Sequence, residues 1–265
     1  MTTAVNDPGA PERRHVLRDL GWTVTRADGE LEGALTVVPE MHVPGTAHLR
    51  TSILAAWADV LAGLLAVDSI APRVPVTLEL DVQLYAPAPA SGTVLGKGRM
   101  HKAGRSVLVA GAEFQRDDGT PLAFAAASFM AAPDETMRIS TPTSADGLLP
   151  PGGRLDVPFA VRAGCERRAP GEAVLPHSDE VLNASNTING GLIALAAEEA
   201  ALSLSPGATL SSLGLRYLQP ARVGPVVARA EVRRGLGRIE VRDQGNDNRL
   251  CVMATSRTFS GSAPR

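Results

Sequence analysis

The residues best suited to chemistry are Asn189, Gly190 and Gly191, which directly precede an apolar stretch predicted to be helical, from Leu192 to about Leu204. Glycine costs about 1 kcal/mol relative to alanine inside a helix, so two of them here do not serve helix stability. At a helix start, glycine admits close approach to the backbone and leaves the first N–H groups pointing outward. Together with the positive end of the helix dipole, these donors suit an oxygen that develops negative charge.

A carboxylate follows on the same predicted helix. Glu198 lies seven residues after Gly191 and returns to nearly the same face, which it shares with Leu195 and Leu202. A carboxylate on an apolar stripe costs free energy unless it is paired or lines a cavity. We interpret the stretch as an oxyanion-binding helix start with a carboxylate two turns behind it. The alternative is a close-packing site with Glu198 at the solvated edge of the stripe.

The arrangement occurs twice in the chain. Residues 52–59 align with residues 191–198 at an offset of 139, and residues 84–87 align with residues 217–220 at an offset of 133. Each copy has an extended run, a helix and four strands, so we predict a duplicated unit. Asp59 aligns with Glu198, whereas Val60 aligns with Glu199, and this indicates Glu198 rather than Glu199 as the working acid.

Hydrophobic periodicity and turn signals place the elements. We predict an arm over residues 1–14, a first repeat over 15–133, a linker over 134–155 and a second repeat over 156–262. The arm is expected to be disordered, and the linker is rich in proline. The predicted helix of the first copy covers residues 51–67, and its strands cover residues 76–85, 93–101, 106–116 and 122–130. The second copy has an extended run near 173–183 and strands at 208–217, 226–233, 238–242 and 250–259.

Composition excludes several classes of function. The 265 residues carry a net charge of −2, which argues against a general nucleic-acid binder, and 44% hydrophobic content is ordinary for a globular protein. No run of about 18 apolar residues occurs, so we expect no membrane span. Cys165 and Cys251 form no metal or redox motif, and we expect a cytoplasmic protein without a metal. The sequence also lacks the Gly-x-Ser-x-Gly elbow of serine hydrolases.

The motifs resemble those of the hotdog-fold acyl-CoA thioesterase superfamily, particularly its phenylacetic-acid-degradation type. That family carries Asn, then His-Gly-Gly a few residues later, and an acid nine residues after the His. Here Asn183 precedes Asn189-Gly190-Gly191 by six residues and Glu198 follows Asn189 by nine, and Leu218-Gln219-Pro220 and Gly237-Arg238 match later elements. The resemblance implies an α+β double hotdog, in which bent antiparallel sheets join edge to edge and wrap two long helices.

Two departures from the family pattern concern the site. Asn189 replaces the family's His, and it can hydrogen-bond a thioester oxygen but cannot transfer protons. Arg50-Thr51-Ser52 replaces His-Gly-Gly in the first copy. We therefore expect the second helix to form the better site, and the first-copy site with Asp59 to be altered or degenerate.

The resemblance implies hydrolysis of an acyl-CoA or carrier-bound acyl thioester, with coenzyme A only as part of the substrate and no other cofactor. Gly190 or Gly191 would stabilise the oxyanion, Glu198 would be base or nucleophile, and Asn189 and Asn183 would position the carbonyl or the loop. The candidate substrate-binding arginines are Arg50, Arg105, Arg216 and Arg238. A homo-oligomer, a dimer of double hotdogs, is expected. The alternatives are a non-catalytic acyl-CoA binding protein and a hotdog dehydratase or hydratase.

Overall fold

The longest element is helix α1, Thr51–Ile70, in a computed structural model that describes residues 15–139, 153–183 and 185–259. The helix ends before Ala71-Pro72, because the residue preceding a proline avoids the helical region and proline lacks the N–H needed to continue. Its length and composition would also suit a membrane span. Twelve of its 20 residues are nevertheless buried, so α1 is the core helix of the first repeat.

Within the described residues, one antiparallel sheet of 12 strands includes both repeats. Its order is β1-β2-β4-β5-β6-β3-β9-β12-β11-β10-β8-β7. The first repeat contributes β1 (Thr25–Ala27), β2 (Glu30–Thr36), β3 (Pro75–Leu84), β4 (Thr93–Ala103), β5 (Leu108–Arg116) and β6 (Pro121–Ala131). The second contributes β7 (Glu166–Ala169), β8 (Glu172–Leu175), β9 (Leu210–Tyr217), β10 (Val226–Arg233), β11 (Leu236–Asp243) and β12 (Arg249–Thr258). Helix α2 (Phe159–Arg162) and helix α3 (Gly190–Ser203) complete the second repeat.

The repeats meet where β3 pairs with β9. Leu80 lies opposite Leu215 and Val82 opposite Leu213, and all four side chains are buried. Helices α1 and α3 contact each other and pack against this inner face of the sheet. The predicted double hotdog, with two half-sheets joined edge to edge and two long helices, is thereby confirmed.

The structure adjusts some boundaries. The extended run predicted near residues 173–183 is strand β8 followed by a 3-10 helix, Asp179–Val181, and β7 forms a hairpin with β8 that the sequence did not indicate. The arm (residues 1–14) and most of the linker (140–152) lie outside the described residues, so the domain boundaries stay a prediction. Strand β3 contains a bulge at Leu78. Thr77 pairs with Phe129 and Glu79 pairs with the next residue of β6, Ser128, so Leu78 is an extra residue without a partner.

The two core helices approach closely at Gly191. A Cβ added to Gly191 would lie 2.5 Å from the Cβ of Ala56 and 2.7 Å from its Cα. Such distances leave no room for any side chain, so glycine at this position sets the separation of the helices. Gly63, in the same helix as Ala56, has open space where its Cβ would point.

We predict that Gly191→Ala lowers the free energy of unfolding by about 1–3 kcal/mol, because the added methyl must push α3 away from α1. Gly63→Ala is the matched control, and it should raise stability by about 0.5–1 kcal/mol since alanine favours helix and meets no neighbour there. Urea unfolding of both variants measures the difference. Equal stability of Gly191→Ala and the wild type would contradict the close contact.

Candidate active site

The start of α3 offers one free backbone donor. Asn189 is the N-cap residue, and its side-chain Oδ1 accepts a hydrogen bond of 2.8 Å from the N–H of Gly191. In the part of the chain that the structure describes, the N–H of Gly190 has no hydrogen-bond partner. Gly190 is also only half-buried. Of the two glycine donors, the one available to a ligand is therefore that of Gly190.

Tyr217, the last residue of β9, closes one side of this helix start. Its hydroxyl donates a hydrogen bond of 3.1 Å to the carbonyl oxygen of Gly190. A Cβ added to Gly190 would lie 3.0 Å from that hydroxyl, so the tyrosine ring lies directly against the glycine. Because that Cβ contact is tighter than most real ones, a larger residue at position 190 would displace the ring.

Asp59 of α1 belongs to the same region. It is half-buried, and Thr77 donates a hydrogen bond of 3.1 Å from its hydroxyl to Asp59 Oδ1. Burial raises the pKa of Asp59 to about 6, and the Thr77 bond opposes this shift. The pKa of Tyr217 is raised well above its ordinary value, first by burial and then by the charge of Asp59.

The helix crossing explains why an acid of the first repeat meets the glycines of the second. Ser52 contacts Glu198, and Ala56 contacts Gly191, so residue numbers rise along α1 as they fall along α3. The two helices are therefore antiparallel. Asp59 follows Ala56 by nearly one turn and so points toward the start of α3.

Glu198 occupies a different place from the one predicted. Its side chain is fully buried, and Oε1 accepts hydrogen bonds from the N–H groups of Thr51 at 2.9 Å and Ser52 at 3.2 Å. Its Oε2 accepts one from the Ser52 hydroxyl at 2.6 Å and one from Arg50 Nη1 at 3.3 Å. The expectation that Glu198 lines a pocket with Gly190 or Gly191 is wrong, because the antiparallel crossing directs it to the start of α1.

Two arginines complete a buried charged network around Glu198. Arg50 is fully buried and forms ion pairs with both Glu198 and Glu199, and Glu199 also pairs with Arg167. Burial raises the pKa of Glu198, while Arg50 and the Ser52 hydroxyl oppose the shift. Arg50 as a substrate-binding residue is therefore a wrong prediction, because its guanidinium is inaccessible and engaged by two carboxylates.

The other predicted residues are dispersed. Asn183 Oδ1 accepts from the N–H groups of Ser185 at 2.9 Å and Thr187 at 3.2 Å, so it shapes the loop before α3. Arg105 is exposed in the turn between β4 and β5. The two remaining arginines are exposed and form surface ion pairs, Arg216 with Glu79 and Arg238 with Glu240. A phosphate-binding role for these three stays a prediction.

Sequence reasoning missed Thr77 and Tyr217. Thr77 faces α1 only because of the bulge at Leu78, and a bulge that redirects one side chain leaves no periodic signal. Tyr217 could have been found, since it aligns with Leu84 in the repeat and is the polar member of that pair. Within the described residues, no group of three His, Cys, Asp or Glu side chains could hold a metal ion.

We predict that Glu198→Ala lowers the free energy of unfolding by about 3–5 kcal/mol, because it removes one partner of a buried ion pair and leaves three donors unsatisfied. The matched control is Glu113→Ala, which breaks the exposed pair with Arg99. That control should cost less than about 1 kcal/mol. Urea unfolding of both variants is the measurement, and similar values for the two would contradict the buried network.

Comparison with known proteins shows what this chain is similar to. A family model described as the thioesterase superfamily matches residues 48–123, the segment that holds α1 and Asp59. No curated protein matches the chain. Among solved structures, an acyl-ACP thioesterase from Bacteroides thetaiotaomicron has 13% identity and a TM-score of 0.62, and the alignment covers 88% of this chain and 98% of that one. The 12:0-ACP thioesterase from Umbellularia californica has 12% identity and a TM-score of 0.62, with the same 88% and 98% coverage.

At these identities the two solved structures show the fold, and they match along nearly their whole length. The family model adds that residues 48–123 of the first repeat are similar in sequence to the thioesterase superfamily. The chain therefore has the double-hotdog fold, and its first repeat is similar to the thioesterase superfamily.

Proposed function

We propose that the chain hydrolyses acyl thioesters at one site, formed by Asp59 and Thr77 of the first repeat and by the α3 start of the second. The observations that carry the proposal are a half-buried carboxylate nearly one helical turn beyond Ala56, which contacts Gly191, and a free N–H on Gly190. At the start of α1, Glu198 itself occupies the N–H groups. A thioester oxygen can therefore reach the N–H of Gly190 at the start of α3, but not the N–H groups at the start of α1.

The chemistry requires a base, an oxyanion donor and a leaving thiol. Asp59 takes a proton from water, and the water oxygen attacks the thioester carbonyl carbon. The Gly190 N–H, at the positive end of α3, stabilises the resulting oxyanion. The C–S bond then breaks, the proton passes to the departing sulfur, and the products are a carboxylic acid and a free thiol.

Thr77 holds the base in place. Its hydroxyl engages Asp59 Oδ1, which leaves Oδ2 as the oxygen that can accept a proton from water. With a pKa of about 6, Asp59 is ionised near neutrality and is still more basic than an ordinary aspartate. Direct attack by the carboxylate on the carbonyl carbon is the alternative within the same proposal.

The substrate is an acyl group joined to coenzyme A or to a carrier protein. The two solved relatives named above are described as acyl-ACP thioesterases, which favours including carrier-bound substrates in any test. Arg105, Arg216 and Arg238 are the exposed candidates for phosphate contacts, and coenzyme A enters only as part of the substrate.

We predict that Asp59→Asn lowers turnover by at least ~10², because the amide cannot accept the water proton. The assay is release of free thiol from a panel of acyl-CoAs. Glu198→Gln is the matched control, and the kcat of its folded molecules should stay within about threefold of the wild type because Glu198 has no contact with this site. Loss of turnover in Glu198→Gln, with Asp59→Asn active, would contradict the assignment. Tight acyl-CoA binding without any hydrolysis by the wild type would indicate a binding protein.

We also predict an acidic limb in the pH profile. Only ionised Asp59 is a base, so kcat/KM should fall as the pH drops through about 6 and level off above it. Thr77→Val removes a hydrogen bond that lowers this pKa, so its limb should move to higher pH. A limb that stays in place in Thr77→Val, or a profile without a limb near pH 6, would count against Asp59 as the base.

A further inference from the structure

One peptide group at the start of α3 is held at both ends. The hydroxyl of Tyr217 donates to the carbonyl of Gly190, and the N–H of the same peptide group, which belongs to Gly191, donates to Asn189 Oδ1. The three groups form a continuous chain, from phenol through peptide to side-chain amide. Hydrogen bonds in such chains polarise and strengthen one another.

This chain fixes the orientation of the Asn189 amide. Only the oxygen of that amide can accept from an N–H, so Oδ1 must face Gly191 and Nδ2 must point away from it. Among the described residues, no group accepts a hydrogen bond from Asn189 Nδ2, and the side chain is half-buried at the helix start. The amide nitrogen is thus a second free donor, on the residue directly preceding Gly190.

We propose that Tyr217 is a positioning residue that, through the Gly190–Gly191 peptide, orients Asn189 so that Asn189 Nδ2 joins the Gly190 N–H in binding the thioester oxygen. This inference rests on the proposed thioester hydrolysis. Asn189 would touch the reacting oxygen directly. Tyr217 would act only through the peptide and through Asn189.

The first repeat provides an internal comparison. Leu84 stands at the position of Tyr217, and it has no hydroxyl to donate. At that helix start the N–H groups of Thr51 and Ser52 bind Glu198 instead of remaining available. The second repeat therefore has both the phenol and a free helix start, whereas the first repeat has neither.

Tyr217 is a donor rather than an acid or a base in this arrangement. Burial, and then the charge of Asp59, raise its pKa well above the ordinary tyrosine value, so it keeps its proton at neutral pH. Its proton is already directed to the Gly190 carbonyl. Among the described residues, Asp59 is the charged group that acts on Tyr217.

Tyr217→Phe tests the inference, with Tyr85→Phe as the matched control, because these are the only two tyrosines in the chain. Tyr85 is 63% exposed and lies against Phe124 on the outer face of the sheet. We expect Tyr217→Phe to lower kcat about tenfold, with KM changed less than about threefold, because the oxyanion donors act mainly in the transition state. Its acidic limb should stay near that of the wild type, and Tyr85→Phe should change neither parameter.

A double-mutant cycle separates positioning from general damage to the fold. Asn189→Ser keeps an N-cap oxygen but has no amide donor, and it should lower kcat by ~10–10². If Tyr217 acts through Asn189, the double variant Tyr217→Phe/Asn189→Ser is no slower than Asn189→Ser alone. Losses that multiply, or full activity of Tyr217→Phe, would overturn the inference.

A readout independent of turnover is amide hydrogen exchange at Gly191, followed by NMR. Loss of the phenol should speed this exchange by about tenfold in Tyr217→Phe and leave it unchanged in Tyr85→Phe. Unchanged exchange in both variants would refute the positioning role even if the protein proved to hydrolyse no thioester. An inactive wild type in which exchange responds to Tyr217→Phe would reject the hydrolysis while retaining the hydrogen-bonded chain.

Discussion

The close contact between Gly191 and Ala56 is the constraint on which the rest of the site depends. Because a Cβ on Gly191 would lie only 2.5 Å from that of Ala56, the two helices pack without space between them, and this close packing sets their antiparallel register. That register brings an acid from each helix toward the start of the other one. Both acid-to-helix-start pairs are thus consequences of one packing contact, and what distinguishes them is the chemistry of a few side chains.

At the start of α1 the acid reaches the backbone. Glutamate has one methylene more than aspartate, and Glu198 uses that reach to accept from Thr51, Ser52 and Arg50 together. The resulting network holds two carboxylates and two guanidinium groups, which balance in charge. Removing one partner of such a network would leave a buried charge without compensation, and the N–H groups of Thr51 and Ser52 are already bonded to Glu198. At the start of α3 the shorter Asp59 binds Thr77 instead, and the Gly190 donor stays free.

Local pattern in the sequence was enough to predict the fold but not this crossing. The strands, the helices and the internal repeat can be predicted from hydrophobic periodicity and turn signals, because both are patterns among residues that are close in sequence. Helical phase correctly places Glu198 and Gly191 on one face, but seven residues at 1.5 Å each separate them by about 10 Å along the axis, beyond the reach of a side chain. Pairing between helices depends on where Gly191 meets Ala56, and Thr77 depends on a bulge. Neither the contact between the helices nor the bulge produces a periodic pattern in the local sequence.

Environment, rather than residue type, decides which acid remains chemically available. Glu198 and Asp59 are both removed from bulk water, and burial raises the pKa of each. Arg50, the Ser52 hydroxyl and two backbone N–H groups compensate the charge of Glu198, so its lone pairs are committed to the protein. Asp59 has a single hydroxyl as compensation, and a pKa of about 6 is the result. An under-compensated carboxylate destabilises the fold at neutral pH, and the same deficit makes it a stronger proton acceptor than a surface aspartate. The free energy that Asp59 costs the folded chain is therefore the source of the basicity that thioester hydrolysis would use.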